Sequence, residues 1–432
     1  MSNNFKDELD WRGLIHDSTS GIEEEINKNC ISGYIGFDPT SDSLHIGSLV
    51  QLIILRHFQM AGHKPIVLIG GATGMIGDPS GKSKERNLLN PDKLEKNISS
   101  LKIQLSKFLD FDSKKTNAAI IVNNFDWNND LNILSFFRDF GKLLTVNYMM
   151  SKESVKNRIS ATDANEGMSF TEFTYQLFQA YDFYYLLENY NCTLQMGGSD
   201  QWGNITSGVE LIRKKNGKKV FALTCPLITK SDGTKFGKTE DGNVWLDRKK
   251  TSPYKFYQYW LNSSDLDSED YIKIFTFAKK DFIKQIIEEH KAEPHLRKLQ
   301  KFIAEEITKM VHSELDLNNV KNASSILFEK NPKQDLSCID ENTFLDIFST
   351  VPNQIIKKSE FNECKLVEDI LIKSTFFSSN SEIRRLINQN SISINKNKVD
   401  SKSKVSEIKL IKNKYILLQK GKKNYFLISV VA

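Results

Sequence analysis

Tyr34-Ile35-Gly36-Phe37-Asp38-Pro39-Thr40-Ser41-Asp42-Ser43-Leu44-His45-Ile46-Gly47-Ser48 is the stretch that decides the fold of this chain. Gly33–Phe37 reads as a short strand, Pro39 and Asp42 hold a turn, and His45 with Gly47 opens an apolar helix over Leu49–Ala61. Strand thus passes into helix through one tight loop. A helix start carries unpaired N–H groups and positive partial charge, so a phosphate placed there meets backbone donors and the side chains of Thr40, His45 and Ser48. Gly36 lets a ligand come close to the backbone. Gly36, Asp38, Gly47 and Ser48 are therefore the nucleotide-binding candidates of this stretch.

Working outward, Met1–Ile31 has amphipathic helical character around Leu9, Leu14, Ile15 and Ile22. Gly62 stops the first long helix, and Lys64–Gly71 is a short, continuously apolar run of the kind found in buried parallel strands. A glycine-rich loop follows, then a predicted helix over Asp92–Leu109 and a third apolar strand, Ala118–Asn123. This alternation predicts an α/β domain with a doubly wound, Rossmann-like parallel sheet. Leu131–Met150 and Phe170–Leu187 read as helices, the former unusually aromatic, and the fold is expected to close near residue 250. Residues 251–331 have helical spacing without strand signals. Residues 332–365 read as a linker, and 366–432 as a small basic α+β module with helices over Leu366–Lys373 and Asn380–Asn388 and strands near Ile392–Asn395 and Tyr415–Leu418.

Charge is unevenly spread. Ile355–Ala432 holds 16 Lys and Arg against 7 Asp and Glu, so the rest of the chain is net negative although the whole stands at +5. A basic appendage on a nearly neutral body suits a polyanion such as RNA. The polar, acidic N-terminus does not read as a signal peptide, and no apolar run approaches the roughly 20 residues that cross a bilayer, so a cytoplasmic protein is expected. Cys30, Cys192, Cys225, Cys338 and Cys364 are scattered and odd in number, which argues against a disulfide framework or a structural zinc.

Four further stretches carry chemistry. The loop Gly70–Ser83 mimics two nucleotide motifs and meets neither: a P-loop needs glycine where Ile76 stands, and the G-x-G-x-x-G spacing is absent. It does carry Asp78, Lys82 and Arg86, which taken alone read by default as a solvated charged loop. Tyr175, Gln179 and Asp182 fall on one face of a helix, and spacing alone leaves a solvent-facing edge and a ligand site equally open. Gln195-Met196-Gly197-Gly198-Ser199-Asp200-Gln201-Trp202-Gly203-Asn204 is a turn with a carboxylate after a predicted strand, where Asp200 is placed to accept from ribose hydroxyls. Thr234-Lys235-Phe236-Gly237-Lys238-Thr239 puts two lysines three apart on a glycine-loosened loop that can close over a triphosphate.

Together these stretches resemble the class I aminoacyl-tRNA synthetases. His45-Ile46-Gly47-Ser48 is similar to their first signature, His-Ile-Gly-His, with Ser48 at the position of the usual second histidine. Lys235-Phe236-Gly237-Lys238-Thr239 is similar to the second, Lys-Met-Ser-Lys-Ser, and the Tyr-x-Gly-Phe-Asp-Pro-Thr lead-in resembles the bacterial enzymes for tyrosine. The resemblance implies ATP as a substrate, with magnesium accompanying it, tyrosine, and the tRNA for tyrosine. It implies Asp78, Tyr175 and Gln179 at the amino group of the amino acid, Tyr34 and Asp182 at its phenol, and Gln201 near its carboxyl. Gly198 and Asp200 would meet the ribose, while Thr40, His45, Lys82, Arg86, Lys235, Lys238 and Thr239 would stabilise the reacting phosphates. In that family the region of Leu131–Met150 builds a homodimer interface, although core packing explains its aromatic residues equally well. A tryptophan-specific relative has no evident use for the Tyr34 and Asp182 pair, and a non-catalytic RNA-binding relative has none for the intact lysines.

Overall fold

The structure, a computed structural model, describes residues 4–28, 30–78, 80, 91–160, 168–234, 236–239, 242–328, 336–349, 351–421 and 424–431. By contact, residues 1–251 with 259–311 form one unit, and 252–258 with 312–432 form a second.

In the first unit, α1 (Phe5–Trp11), β1 (Asp17–Ser18) and α2 (Ile22–Lys28) precede β2 (Ser32–Phe37), which passes through the Asp38–Leu44 loop into α3 (Ile46–Met60) and then β3 (Lys64–Ile69). Next come α4 (Thr73–Ile76), α5 (Pro91–Leu105), β4 (Ile120–Asn123), α6 (Phe125–Asn128), α7 (Ile133–Phe136), α8 (Val146–Met150) and α9 (Glu153–Ser160). The long α10 (Phe170–Tyr190) returns the chain to β5 (Cys192–Gly198), α11 (Trp202–Asn216) and β6 (Phe221–Cys225). The strands lie in the order β1-β6-β5-β2-β3-β4, and all pair in parallel except β1, which runs antiparallel to β6. Five residues of β3 and all of β6 are buried, as strands covered on both faces must be. At Gly33 a Cβ would come within 2.8 Å of the Phe58 ring, so glycine is what lets α3 lie close on β2.

A short hairpin, β7 (Lys238–Thr239) with β8 (Gly242–Asn243), follows the sheet and leads to the helices α12 (Pro253–Leu261), α13 (Asp265–Phe275), α14 (Lys280–Ala292) and α15 (Lys298–Val311). The second unit continues with α16 (Glu314–Phe328), α17 (Glu341–Ile347), β9 (Asn353–Lys357), α18 (Lys358–Glu363), α19 (Val367–Lys373) and α20 (Asn380–Asn388). Strands β10 (Ile392–Ile394), β11 (Asn397–Lys398), β12 (Tyr415–Lys420) and β13 (Asn424–Val431) complete a sheet of order β11-β10-β12-β13-β9. Ile370, Leu371, Ile383, Ile392, Ile416 and Ile428 fill the core between that sheet and its helices.

The doubly wound sheet, the helical run after residue 251 and the α+β tail match the sequence reading. Four local expectations need correction. The amphipathic N-terminal segment is broken by β1, because Asp17 and Ser18 pair with the edge of β6. The glycine-rich loop contains α4. The aromatic segment Leu131–Met150 is not one helix: α7 widens into a π-turn over Phe137–Gly141 before α8 begins, and Phe136, Leu144 and Met149 bury themselves in one cluster with Leu177, Ala180 and Leu211. Finally, 332–365 is no plain linker: β9 pairs in parallel with β13 and buries Ile356, its polar neighbours having hidden a strand with one inward side chain.

Helix α10 carries three candidate residues and is fixed at its start. Ser169 and Glu172 form a capping box, and the Glu172 carboxylate also receives Arg158 Nε at 3.1 Å and Nη2 at 3.2 Å, both side chains being 2% exposed. Removing one member of a buried pair strands the other. Glu172→Ala should therefore cost ~3–5 kcal/mol of stability in denaturant unfolding. A loss below about 1 kcal/mol, the range of an exposed pair, would show that the pair does not hold the helix.

Candidate active site

A cavity of about 610 Å³ opens at the C-terminal ends of β2 and β5. Its walls bring together Tyr34, Gly36, Asp38, Thr40, His45, Gly47, Ser48 and Asp78 from the first half of the sheet with Tyr175, Gln179, Asp182, Gly198, Asp200, Gln201 and Lys238 from the second. A Cβ at Gly36 would meet only Leu68, at 3.8 Å, so the backbone there faces open space. Thr239 ends β7 beside Lys238, and its side chain lies outside what the structure describes. Lys82, Arg86 and Lys235 lie outside the described residues.

The polar floor is built around Asp182, which α10 presents to a buried pocket. Its Oδ1 accepts from Trp127 Nε1 at 2.8 Å and Asn128 Nδ2 at 3.0 Å, and its Oδ2 from Asn124 Nδ2 at 2.9 Å. Burial raises its pKa to about 6, against the pull of these three donors. A carboxylate offers about four acceptor positions, so three donors leave room for one more. Close by, Tyr34 is 1% exposed, and its hydroxyl has no hydrogen-bond partner. Burial and the Asp182 charge push that phenol well above its ordinary pKa, so it stays a neutral donor. A buried, unsatisfied hydroxyl beside a carboxylate with a spare acceptor position is a costly arrangement unless a ligand hydroxyl completes it.

A second polar group gathers around Asp78. Gln201 Nε2 donates to its Oδ2 at 2.6 Å and the Ser80 amide to its Oδ1 at 2.9 Å. Asn204, on α11, holds Ser80 Oγ at 3.1 Å and Gln201 Oε1 at 3.2 Å. Asp200 is raised by burial first and by the nearby Asp78 charge second. Neither Asp78, Asp182 nor Asp200 has a cationic partner among the described residues, so this part of the cavity favours a ligand cation.

The start of α3 supplies the opposite character. His45 caps the helix, its Nδ1 accepting from the Gly47 amide at 3.0 Å. The chain just after the lysine loop is stitched to this cap: Ile46 N donates to Val244 O at 2.9 Å and Leu246 N to Leu44 O at 2.8 Å. Gly237 has φ +83°, and a Cβ there would come within 3.0 Å of Ile46 Cγ1. The lysine loop thus crosses the helix N-terminus at van der Waals range, which brings Lys238 to the cavity wall.

Sequence reasoning missed Asn124, Trp127, Asn128, Asn204 and Gln195. The first three follow β4 and reach Asp182 only through the fold, so no local spacing marks them. Gln195 lines the cavity with its Oε1 buried and unpartnered. It stood inside the quoted Gln195–Asn204 string, and its inward register on β5 was the available signal. All five cysteines are free, and no group of three or more His, Cys, Asp and Glu able to hold a metal occurs among the described residues.

A switch-point cavity in a parallel sheet, with a helix-capped anion end and an acidic end, defines a site for a nucleotide together with a small cationic ligand. Residues 27–329 match the family of tRNA synthetases class I (W and Y). The chain belongs to that family. Residues 343–428 match the tyrosine–tRNA ligase SYY-like C-terminal domain. Over 431 residues the chain is 57% identical to the tyrosine–tRNA ligase of Flavobacterium johnsoniae, covering 99% of this chain and 100% of that one. It is 56% identical over 429 residues to the tyrosine–tRNA ligase of Porphyromonas gingivalis strain W83, covering 99% and 100%. Among solved structures, a C-terminally truncated mitochondrial tyrosyl-tRNA synthetase of Aspergillus nidulans is similar at 30% identity and a TM-score of 0.67, over 76% of this chain and 94% of that one.

The Asp182 environment predicts a titration. Carbon-13 NMR of labelled aspartates should find one carboxyl titrating near pH 6, and Asn124→Ala, which removes a donor that lowers the value, should move it higher. The folded pKa lies above the ordinary 3.8, so the ionised group costs stability above pH 6, and that cost disappears as pH falls below the ordinary value. A midpoint at the ordinary carboxylate value would show a wetter floor.

Proposed function

We propose that this cavity activates tyrosine with ATP, forming tyrosyl-adenylate and pyrophosphate, and that the tyrosyl group then passes to the 3′ end of the tRNA for tyrosine. The full-length likeness to tyrosine–tRNA ligases supports the overall reaction. The observation that carries the choice of amino acid is the buried, partnerless Tyr34 hydroxyl beside Asp182. A phenol placed there donates to the open position on Asp182 and accepts from Tyr34, so both buried groups are satisfied at once. Phenylalanine would leave both unpaired, and tyrosine-specific synthetases are the known case of rejection on this principle.

The remaining roles follow from charge. Asp78, Tyr175 and Gln179 receive the α-ammonium group, and Gln201, held by Asp78, faces the carboxyl. Gly198 and Asp200 meet the ribose, together with Gly36 and Asp38 on the opposite strand. The triphosphate lies over the start of α3, where the side chains of Thr40, His45 and Ser48 face it and Lys238 covers it; Thr239, Lys235, Lys82 and Arg86 are assigned to the same task from the sequence alone. No protein nucleophile is required, because the tyrosine carboxylate itself attacks the α-phosphorus and pyrophosphate leaves. Catalysis then rests on holding the two substrates in line and on stabilising charge as it gathers on the phosphates. Magnesium is expected to arrive on the triphosphate, since the described residues offer it no cluster of their own.

Two features bear on partners. Ile133, Leu134 and Val146 are 66%, 77% and 63% exposed, with Phe137 and Met150 beside them, and this apolar face supports a homodimer through α7 and α8. The basic second unit supports tRNA binding outside the cavity. No helix of the described residues is long and apolar enough to cross a membrane, and a cytoplasmic setting fits the chemistry.

Exchange of labelled pyrophosphate into ATP, run with each of the twenty amino acids, should proceed with tyrosine alone. Exchange with none, or with tryptophan instead, overturns the reading. Tyr34→Phe should retain exchange while narrowing the preference over phenylalanine by about 1 kcal/mol, the worth of one hydrogen bond.

A further inference from the structure

We propose that Phe236 is the residue that positions Lys238, through an aromatic socket built by α12 and α13; this rests on the reading that Lys238 serves the reacting phosphates. Phe236 sits inside the lysine signature, yet it is only 9% exposed. Its ring stacks on Phe275 at 5.2 Å and 16°, and meets Tyr271 at 5.2 Å, Trp260 at 5.9 Å and Tyr259 at 6.1 Å. The socket rings also hold one another, Trp260 lying 5.0 Å from Phe275 and 5.4 Å from Tyr259. The pocket therefore does not depend on Phe236 for its shape.

One residue separates this anchor from the working lysine. The Gly237 amide donates to Tyr259 Oη at 3.2 Å, and its carbonyl accepts from Val244 N at 3.0 Å. Burial pushes the Tyr259 phenol up to about 12, so its oxygen stays un-ionised at neutral pH. From the other side Gly237 lies against Ile46 on the first turn of α3. A lysine ammonium is a point charge on a flexible stem, and it acts on a transition state only if its backbone is held. Gly233 and Gly237, both at positive φ, make this loop intrinsically permissive. The socket supplies what the loop lacks, clamping the main chain of Gly237 between α3 and Tyr259 immediately before the lysine that follows.

The test uses the full-length chain and single-turnover formation of tyrosyl-adenylate, with tyrosine affinity measured separately. Lys238→Ala, Phe236→Ala, the double variant, and Phe236→Leu, which keeps apolar volume but loses the stack, are compared. Phe236→Ala should slow activation roughly 10- to 100-fold, as misplacement of a catalytic group does, with tyrosine affinity unchanged and Phe236→Leu intermediate. The double variant should be no slower than Lys238→Ala, because an anchor has nothing left to position. Multiplying losses in the double variant, or full-speed activation by Phe236→Ala, would overturn the proposal while leaving the role of Lys238 intact. Full-speed activation by Lys238→Ala would instead remove the reading on which the proposal stands.

Discussion

The catalytic unit depends on the reversal of strand order between β2 and β5. From β2 the chain builds outward through β3 to β4, then returns along α10 to start again on the other side with β5 and β6. Connections leaving two adjacent parallel strands toward opposite sides must part at the carboxyl ends of those strands, and the crevice they leave is where open α/β sheets bind ligands. Apart from Lys238 on β7, every described candidate side chain that lines the cavity is borne by β2, α3, α10, β5 or a loop leaving one of the strands. Helix α10 is the last and longest helix of that return and leads directly into β5, and its polar stripe lands in the crevice.

Within that crevice the fold keeps its charges unbalanced. Among the described residues, Asp182 and Asp78 are held by amides, an indole and a backbone N–H rather than by arginine or lysine. Neutral donors are enough to keep a carboxylate ionised near neutrality without cancelling its field. The network also connects the two halves of the site: Asn124 Nδ2 reaches both Asp182 Oδ2 at 2.9 Å and Thr73 Oγ1 at 3.0 Å, and Thr73 Oγ1 donates to Asp38 at 3.2 Å. Asp182 and Asp38 thus share a single chain of hydrogen bonds, and Asp38 adds to the rise in the Asp182 pKa.

What the sequence made legible were features with local periodicity or local chemistry. The buried strands announced themselves as unbroken apolar runs, and the stripe of Tyr175, Gln179 and Asp182 as a helical face. Legibility failed where structure depends on a distant partner. β1 and β9 are short edge strands whose pairing partners lie some two hundred and some seventy residues away, and neither has a hydrophobic alternation of its own. Asn124, Trp127 and Asn128 look like a polar turn after β4, and only the register of β4 beside β3 turns them toward Asp182. Phe236 read as one letter of a motif, because the rings that receive it come from helices assigned to another part of the chain.

The cap of α3 does not depend on the side chain at 48, where Ser48 stands in place of the usual second histidine. The cap of α3 is made by His45 Nδ1 and the Gly47 amide, and the cap's position is set by backbone bonds from Ile46 N to Val244 O and from Leu246 N to Leu44 O. None of these involves the side chain at 48. Replacing an imidazole by a hydroxymethyl group there changes one donor on the wall while leaving the helix dipole, the amides and the lysine loop in register. The cost of the change is then confined to a single contact, since positioning belongs to the main chain and recognition to the side chains it carries.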